Sequence, residues 1–224
     1  MKKLFSMLAL PLVLLFSAGT AFAADALVPL AKDCSQSQHP AHTGFQVAPA
    51  CVSTSMGEVA AADKDPSLLI VEAPDKVKSG QSFALGISTR NLVRDRFLAA
   101  GQGGYYLESA LLNDAGLTRG HFHVACRKLV DQGKSAPSNP QDVPAFFKAV
   151  EDGGGGAAAD TVRITVPGTN GLGLNTFNKK DQVQCTAWAG DGSHRTPMMQ
   201  RANQTPAFDS VRIKVKGEGD EDEQ

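Results

Sequence analysis

The chain has 224 residues, about one to two domains' worth. Apolar residues make up 42% and charged residues 20%, a balance that can bury a core and excludes wholesale disorder. A formal net charge of -1 excludes a strongly basic nucleic-acid binder, and 22 Gly and 12 Pro against 1 Trp and 2 Tyr fit many turns between short elements.

At the start, Lys2 and Lys3 precede an apolar run, Leu4 to Phe16, broken only by Ser6 and Pro11. Ala21-Phe22-Ala23 is a small-x-small cleavage site. This layout predicts a secretory signal peptide over residues 1–23, and hence a secreted or periplasmic protein. Once it is removed, no run is long and apolar enough to span a membrane. At the other end, Glu218, Asp220, Glu221, Asp222 and Glu223 make 217–224 an acidic tail too polar to pack, expected to be disordered.

Four cysteines in an exported chain predict two disulfides. Of the three pairings, Cys34–Cys51 and Cys126–Cys185 is expected. The first closes a polar N-terminal region, residues 24–60, that has little core of its own, and contributes about 3 kcal/mol in the chain-entropy view. The second ties two predicted strands together. A four-cysteine zinc site is excluded, because no C-x-x-C occurs.

Within 61–216, period-2 alternation marks strands. Leu68 to Val71 is a short apolar run, and Phe83, Leu85 and Ile87 alternate next. Asn91 is placed to cap a helix over Leu92 to Ala100. Tyr105 to Leu112 and Leu117 to Leu129 read as a hairpin around Asn113-Asp114-Ala115-Gly116. A polar loop follows, then a helix near Val143 to Val150 capped by Asp142, then a glycine-rich exposed linker, Gly153 to Ala159. Val162, Ile164 and Val166, then Val183, Cys185 and Ala187, then Val211, Ile213 and Val215 complete the alternating runs. The pattern predicts an all-β domain, a single antiparallel β-sandwich, immunoglobulin-like in the loose sense, with one or two short helices in loops. A β-barrel is the alternative. The strict immunoglobulin spacing is absent, since Trp188 follows Cys185 instead of lying between the two cysteines.

The sharpest local feature is His121-Phe122-His123. On a strand, residues i and i+2 share a face, so the two imidazoles project together while Phe122, Val124 and Cys126 take the core side. His194, in the loop after the strand bearing Cys185, is the expected third member, with Asp191 as an oxygen ligand or as a group that orients a histidine. Imidazole suits Zn and Cu. Arg127 and Arg195 add positive charge for carboxylate or phosphate ligands, and Trp188 offers a ring that can stack on a sugar or aromatic ligand. Asp191, Ser193 and His194 hold the residue types of a hydrolase triad, but no G-x-S-x-G elbow is present.

The blocks Asn91 to Phe97, Gly104 to Glu108, Gly120 to His123, Ala187 to Arg195 and Arg201 to Val211 resemble an uncharacterised family of secreted proteins found in filamentous fungi and some bacteria. The resemblance spans about residues 80–215; it implies export and no activity.

The leading expectation is therefore an exported binding protein without enzymatic activity, its ligand or extracellular partner unidentified. Its recognition surface is an outward polar face bearing His121, His123, Arg127, Trp188, His194 and Arg195. A Zn or Cu metalloprotein using His121, His123 and His194 is the second reading. A structural or cell-surface interaction protein is the third. A nucleic-acid partner is not expected.

Overall fold

The computed structural model describes residues 33–129 and 139–217. The expected signal peptide and the acids from Glu218 onward lie outside these residues, as does most of the polar loop after Leu129. Among the described residues no helix is long and apolar enough to cross a membrane.

Among the described residues eleven strands form two sheets. β1 (Ser67–Glu72), β3 (Phe83–Arg90) and β9 (Asp160–Val166) make a three-stranded antiparallel sheet in the order β1-β3-β9. The larger sheet has the order β2-β11-β10-β6-β4-β8, from β2 (Lys76–Lys78), β11 (Phe208–Lys216), β10 (Gln182–Asp191), β6 (Thr118–Lys128), β4 (Leu92–Val93) and β8 (Gly155–Gly156). β5 (Leu111–Leu112) and β7 (Phe146–Val150) also pair with β6. The pairing is antiparallel except at two short contacts, β2 with β11 and β4 with β6.

The sheets face each other across one core. Leu85, Ile87, Ile164 and Val166 enter it from the smaller sheet; Phe122, Val124, Val183, Ala187, Ile213 and Val215 enter from the larger. These are the residues that the period-2 pattern places inward, and each large side chain removed from water contributes about 1.5–3 kcal/mol. Both expected disulfides are present. Cys126 stands directly across from Cys185 in the β6–β10 ladder, so that bond stitches neighbouring strands of one sheet and does not bridge the two sheets.

Both helix expectations fail. Residues 92–93 are β4, and only a single turn of 3-10 helix, Ala100–Gln102, follows. Asn91 does not cap it: its side chain donates to the carbonyls of Asp63 and Asp65. Residues 146–150 are β7, because β6 offers a free edge there and a ladder satisfies more backbone than an isolated helical turn. Likewise the segment 105–110 is not a strand but a covering loop.

The glycine run is more than a linker. Gly155 and Gly156 form β8 against β4, and a Cβ at Gly155 (φ +85) would lie 2.1 Å from the Leu92 carbonyl. Arg94 is buried beside this turn, bonded to Asp152, Asp160 and Thr89. The N-terminal region is stitched onto the covering loop. Gly44 accepts the Tyr105 amide (2.9 Å), and Thr54 donates to the Tyr106 carbonyl (2.6 Å).

Candidate metal centre

β6 is buried on both faces. Its inner face is the core, as predicted. Its other face was expected to look outward, yet His121 is 0% exposed and His123 is 7% exposed. The segment 96–106 accounts for much of the cover. Phe97 lies edge-on to all three histidines, with ring centroids 4.9 Å from His121, 6.5 Å from His123 and 5.0 Å from His194. Tyr105 stacks on His194 at 4.7 Å. From the sheet, Phe147 and Trp188 stack against His123 at 5.4 Å and 5.1 Å.

Inside this box the three imidazoles converge. Each of His121, His123 and His194 offers one ring nitrogen, and the three atoms lie within 4.8 Å of one another. The ring centroids are 4.5, 5.0 and 6.1 Å apart. Tetrahedral zinc with bonds of about 2.0–2.1 Å places nitrogen donors about 3.4 Å apart, so small shifts of the rings close them on an ion.

Two consecutive-but-one carbonyls orient the rings. His121 Nδ1 lies 2.9 Å from the Arg96 carbonyl, and His194 Nε2 lies 2.5 Å from the Leu98 carbonyl. A carbonyl only accepts, so in each ring the nitrogen facing it carries the proton and the other keeps its lone pair. A backbone carbonyl on the far nitrogen is the usual support of a metal-binding imidazole. Arg96 is itself held by Glu108 through a two-pronged ion pair, and its amide donates to Gly120 (3.1 Å).

His121 Nε2 and His123 Nδ1 are buried and have no hydrogen-bond partner among the described residues. Burial, which disfavours the charged ring, pushes the pKa of His121 down to about 4 and that of His123 to about 3. For His123 the neighbouring imidazoles push the same way. Both rings are therefore neutral near pH 7, the form that ligates metal.

His194 is delivered by a tight turn. Asp191 Oδ1 accepts the amides of Ser193 (2.8 Å) and Arg195 (3.2 Å), and the Asp191 carbonyl accepts that of His194 (3.0 Å). His194 itself sits at φ +65, a conformation a histidine adopts only when its surroundings hold it there. Asp191 thus shapes the turn and stands outside the converging trio. Ser193 Oγ bonds to Asp191 while His194 reaches Leu98, so no triad forms.

The other expected residues divide. Trp188 joins the site, directly across from His123 in the ladder. Arg127 lies further along β6 and donates to the Asp142 carbonyl. Arg195 turns to Ser193 Oγ and the Met56 carbonyl. Neither arginine bonds to the trio. Sequence reading missed Arg96, Phe97, Leu98, Tyr105 and Phe147. The only signal was that four of them lie in the blocks Asn91–Phe97 and Gly104–Glu108 or beside them; a backbone carbonyl leaves no mark in residue type.

Residues 69–184 match the family model of the CLU5d N-terminal domain. The match begins in β1, includes His121 and His123, and ends inside β10 before Trp188 and His194. No curated protein matches the chain.

Proposed function

We propose that this chain, which belongs to the CLU5d N-terminal domain family, is an exported protein in which His121, His123 and His194 hold one Zn or Cu ion. One observation carries the reading: among the described residues His121 Nε2, a lone-pair nitrogen, and His123 Nδ1 are buried without hydrogen-bond partners, in a trio whose ring nitrogens converge. An unsatisfied buried polar atom costs about 1–3 kcal/mol, and hydrogen bonding within a merely structural core would remove that cost. An ion removes it too.

The donor set is imidazole nitrogen only, which suits Zn(II) and Cu. Three protein ligands leave a bound zinc-type ion a further position and its Lewis acidity. The chain's own contribution is to fix the tautomers of His121 and His194, keep His121 and His123 neutral and cover the rings with Phe97, Tyr105, Phe147 and Trp188. Export is supported by the signal-peptide layout, by two disulfides, and by the resemblance of the blocks around the site to exported proteins.

Metal analysis and calorimetric titration with Zn(II) and Cu(II), on protein purified without a histidine tag, test the proposal. One ion per chain is expected, with affinity lowered at least a hundredfold in His123→Ala. A wild type that binds neither ion, or a His123→Ala variant that binds as well as wild type, overturns it.

A further inference from the structure

The outward face of the larger sheet changes character along its strands. Near the metal centre it is aromatic: Phe208 stands across from Trp188, and Phe208 is half-exposed. The next rungs are polar and hydrogen-bonding, with Ser210 across from Thr186 and Gln184 across from the cationic Arg212. The far end is basic. Lys214 lies directly across from Lys76, and Lys216 directly across from Lys78.

The first of these pairs, Lys76 with Lys214, is unusual. Like charges directly opposite on neighbouring strands destabilise a sheet. Among the described residues Lys76, Lys78, Arg212 and Lys214 make no ion pair. No Asp or Glu occupies an outward position of β2, β10 or β11 ahead of the terminal Asp191. Of the acids nearby, Asp181 pairs with Lys128 (3.1 Å), and Asp209 faces the other sheet, where it accepts the Ile70 amide (2.9 Å); Asp75 precedes Lys76, and among the described residues its carboxylate makes no ion pair.

We propose that this face binds an acidic polysaccharide, a polyuronate with a carboxylate on each sugar. From Phe208 to Lys216 the track runs about 27 Å at the strand rise. A polyuronate answers each zone in turn. Its carboxylates relieve the opposition of Lys76 and Lys214 and pair with Arg212. Its hydroxyls meet Gln184, Thr186 and Ser210. The apolar faces of its rings lie on Phe208 and Trp188. A nucleic acid or an anionic membrane answers the lysines but leaves the polar rungs unused. The proposal does not rest on the metal reading.

The test uses the full chain, with and without EDTA, and an oligogalacturonate of about ten sugars, the track length allowing several residues to engage. Trp188 is the chain's single tryptophan, so its emission reports occupancy of the aromatic end. We expect calorimetric binding in dilute buffer, a shift in Trp188 emission, and affinity at least tenfold lower in 300 mM NaCl, as screening of several ion pairs requires. The Lys76→Gln/Lys214→Gln variant is expected to bind at least tenfold more weakly with a melting temperature equal to or above wild type, since it removes a repulsion. The proposal is overturned if wild type does not bind, if the double variant binds as wild type does, or if neutral dextran, duplex DNA or phosphatidylserine vesicles bind equally well. EDTA is expected to change nothing, so failure here and failure of the metal centre are read separately.

Discussion

Gly190 stands directly across from His121 in the β6–β10 ladder, and a methyl group there would lie 2.9 Å from His121 Nε2. The hydrogen atom at Gly190 thus keeps open the space beside the nitrogen that has no partner. Gly190→Ala is expected to push the imidazole aside and weaken Zn(II) or Cu(II) binding about tenfold or more. The cost in stability should be only about 1 kcal/mol, the scale of a small overpacking. Calorimetric titration beside urea denaturation separates the two effects; unchanged affinity would contradict the assignment of Nε2 as a donor.

Acid should loosen the metal-free protein before it protonates ordinary carboxylates. Unfolded histidines titrate near 6.5, whereas the native pKa values are about 4 for His121 and about 3 for His123. Between those values the unfolded chain holds more protons than the native one, so stability falls as pH drops below about 6.5 and is fully present above it. The slope is about 1.4 kcal/mol per pH unit for each histidine. Urea midpoints of EDTA-treated protein at several pH values from 7.5 to 4.5 measure it, and His123→Gln is expected to halve the slope. A flat profile over that range would contradict the burial of these rings.

Much of this centre was readable in the chain. The period of two placed His121 and His123 on one face, and Cys126 across from Cys185 brought the strand before His194 alongside. What could not be read was the cover. The alternation of β6 describes a half-buried strand, and nothing in residues 105–110 says that they leave the sheet to lie over it. Arg94, an arginine in a charged stretch, gives no sign that it will be buried beneath its exposed partners Asp152 and Asp160. The short helix at 143–150 was expected from local capping, but the free edge of β6, a tertiary feature, decided for strand.

Glu108 should matter to the metal without touching it. It holds the Arg96 guanidinium, and the Arg96 carbonyl orients His121. Glu108→Gln keeps the shape and removes the charge. Because the Arg96 side chain is partly exposed, the stability cost is expected to be about 1 kcal/mol or less. Metal dissociation into excess chelator, followed by stopped flow, is expected to quicken about tenfold, as for other groups that steady a ligating histidine. An unchanged rate would mean that the loop is held by Phe97 and the Gly120 contact alone.

The two disulfides should differ in effect. The Cys126–Cys185 bond closes a separation of 59 residues and the Cys34–Cys51 bond one of 17. In the chain-entropy view these correspond to about 4 and about 3 kcal/mol. Replacing Cys126 and Cys185 by alanine is expected to lower the urea-derived stability more than replacing Cys34 and Cys51, and thermal melts followed by circular dichroism rank the variants. The opposite order would show that the N-terminal region contributes more to the fold than its contacts with Tyr105 and Tyr106 suggest.

The three histidines come from positions 121, 123 and 194, and the carbonyls behind them from 96 and 98. A chain still collapsing has no reason to bring such distant stretches together early, since long loops must close first. On the metal reading, the cage would be assembled late by a sandwich already in place, and an ion in the surrounding medium would meet a finished receptacle instead of steering how the polypeptide folds.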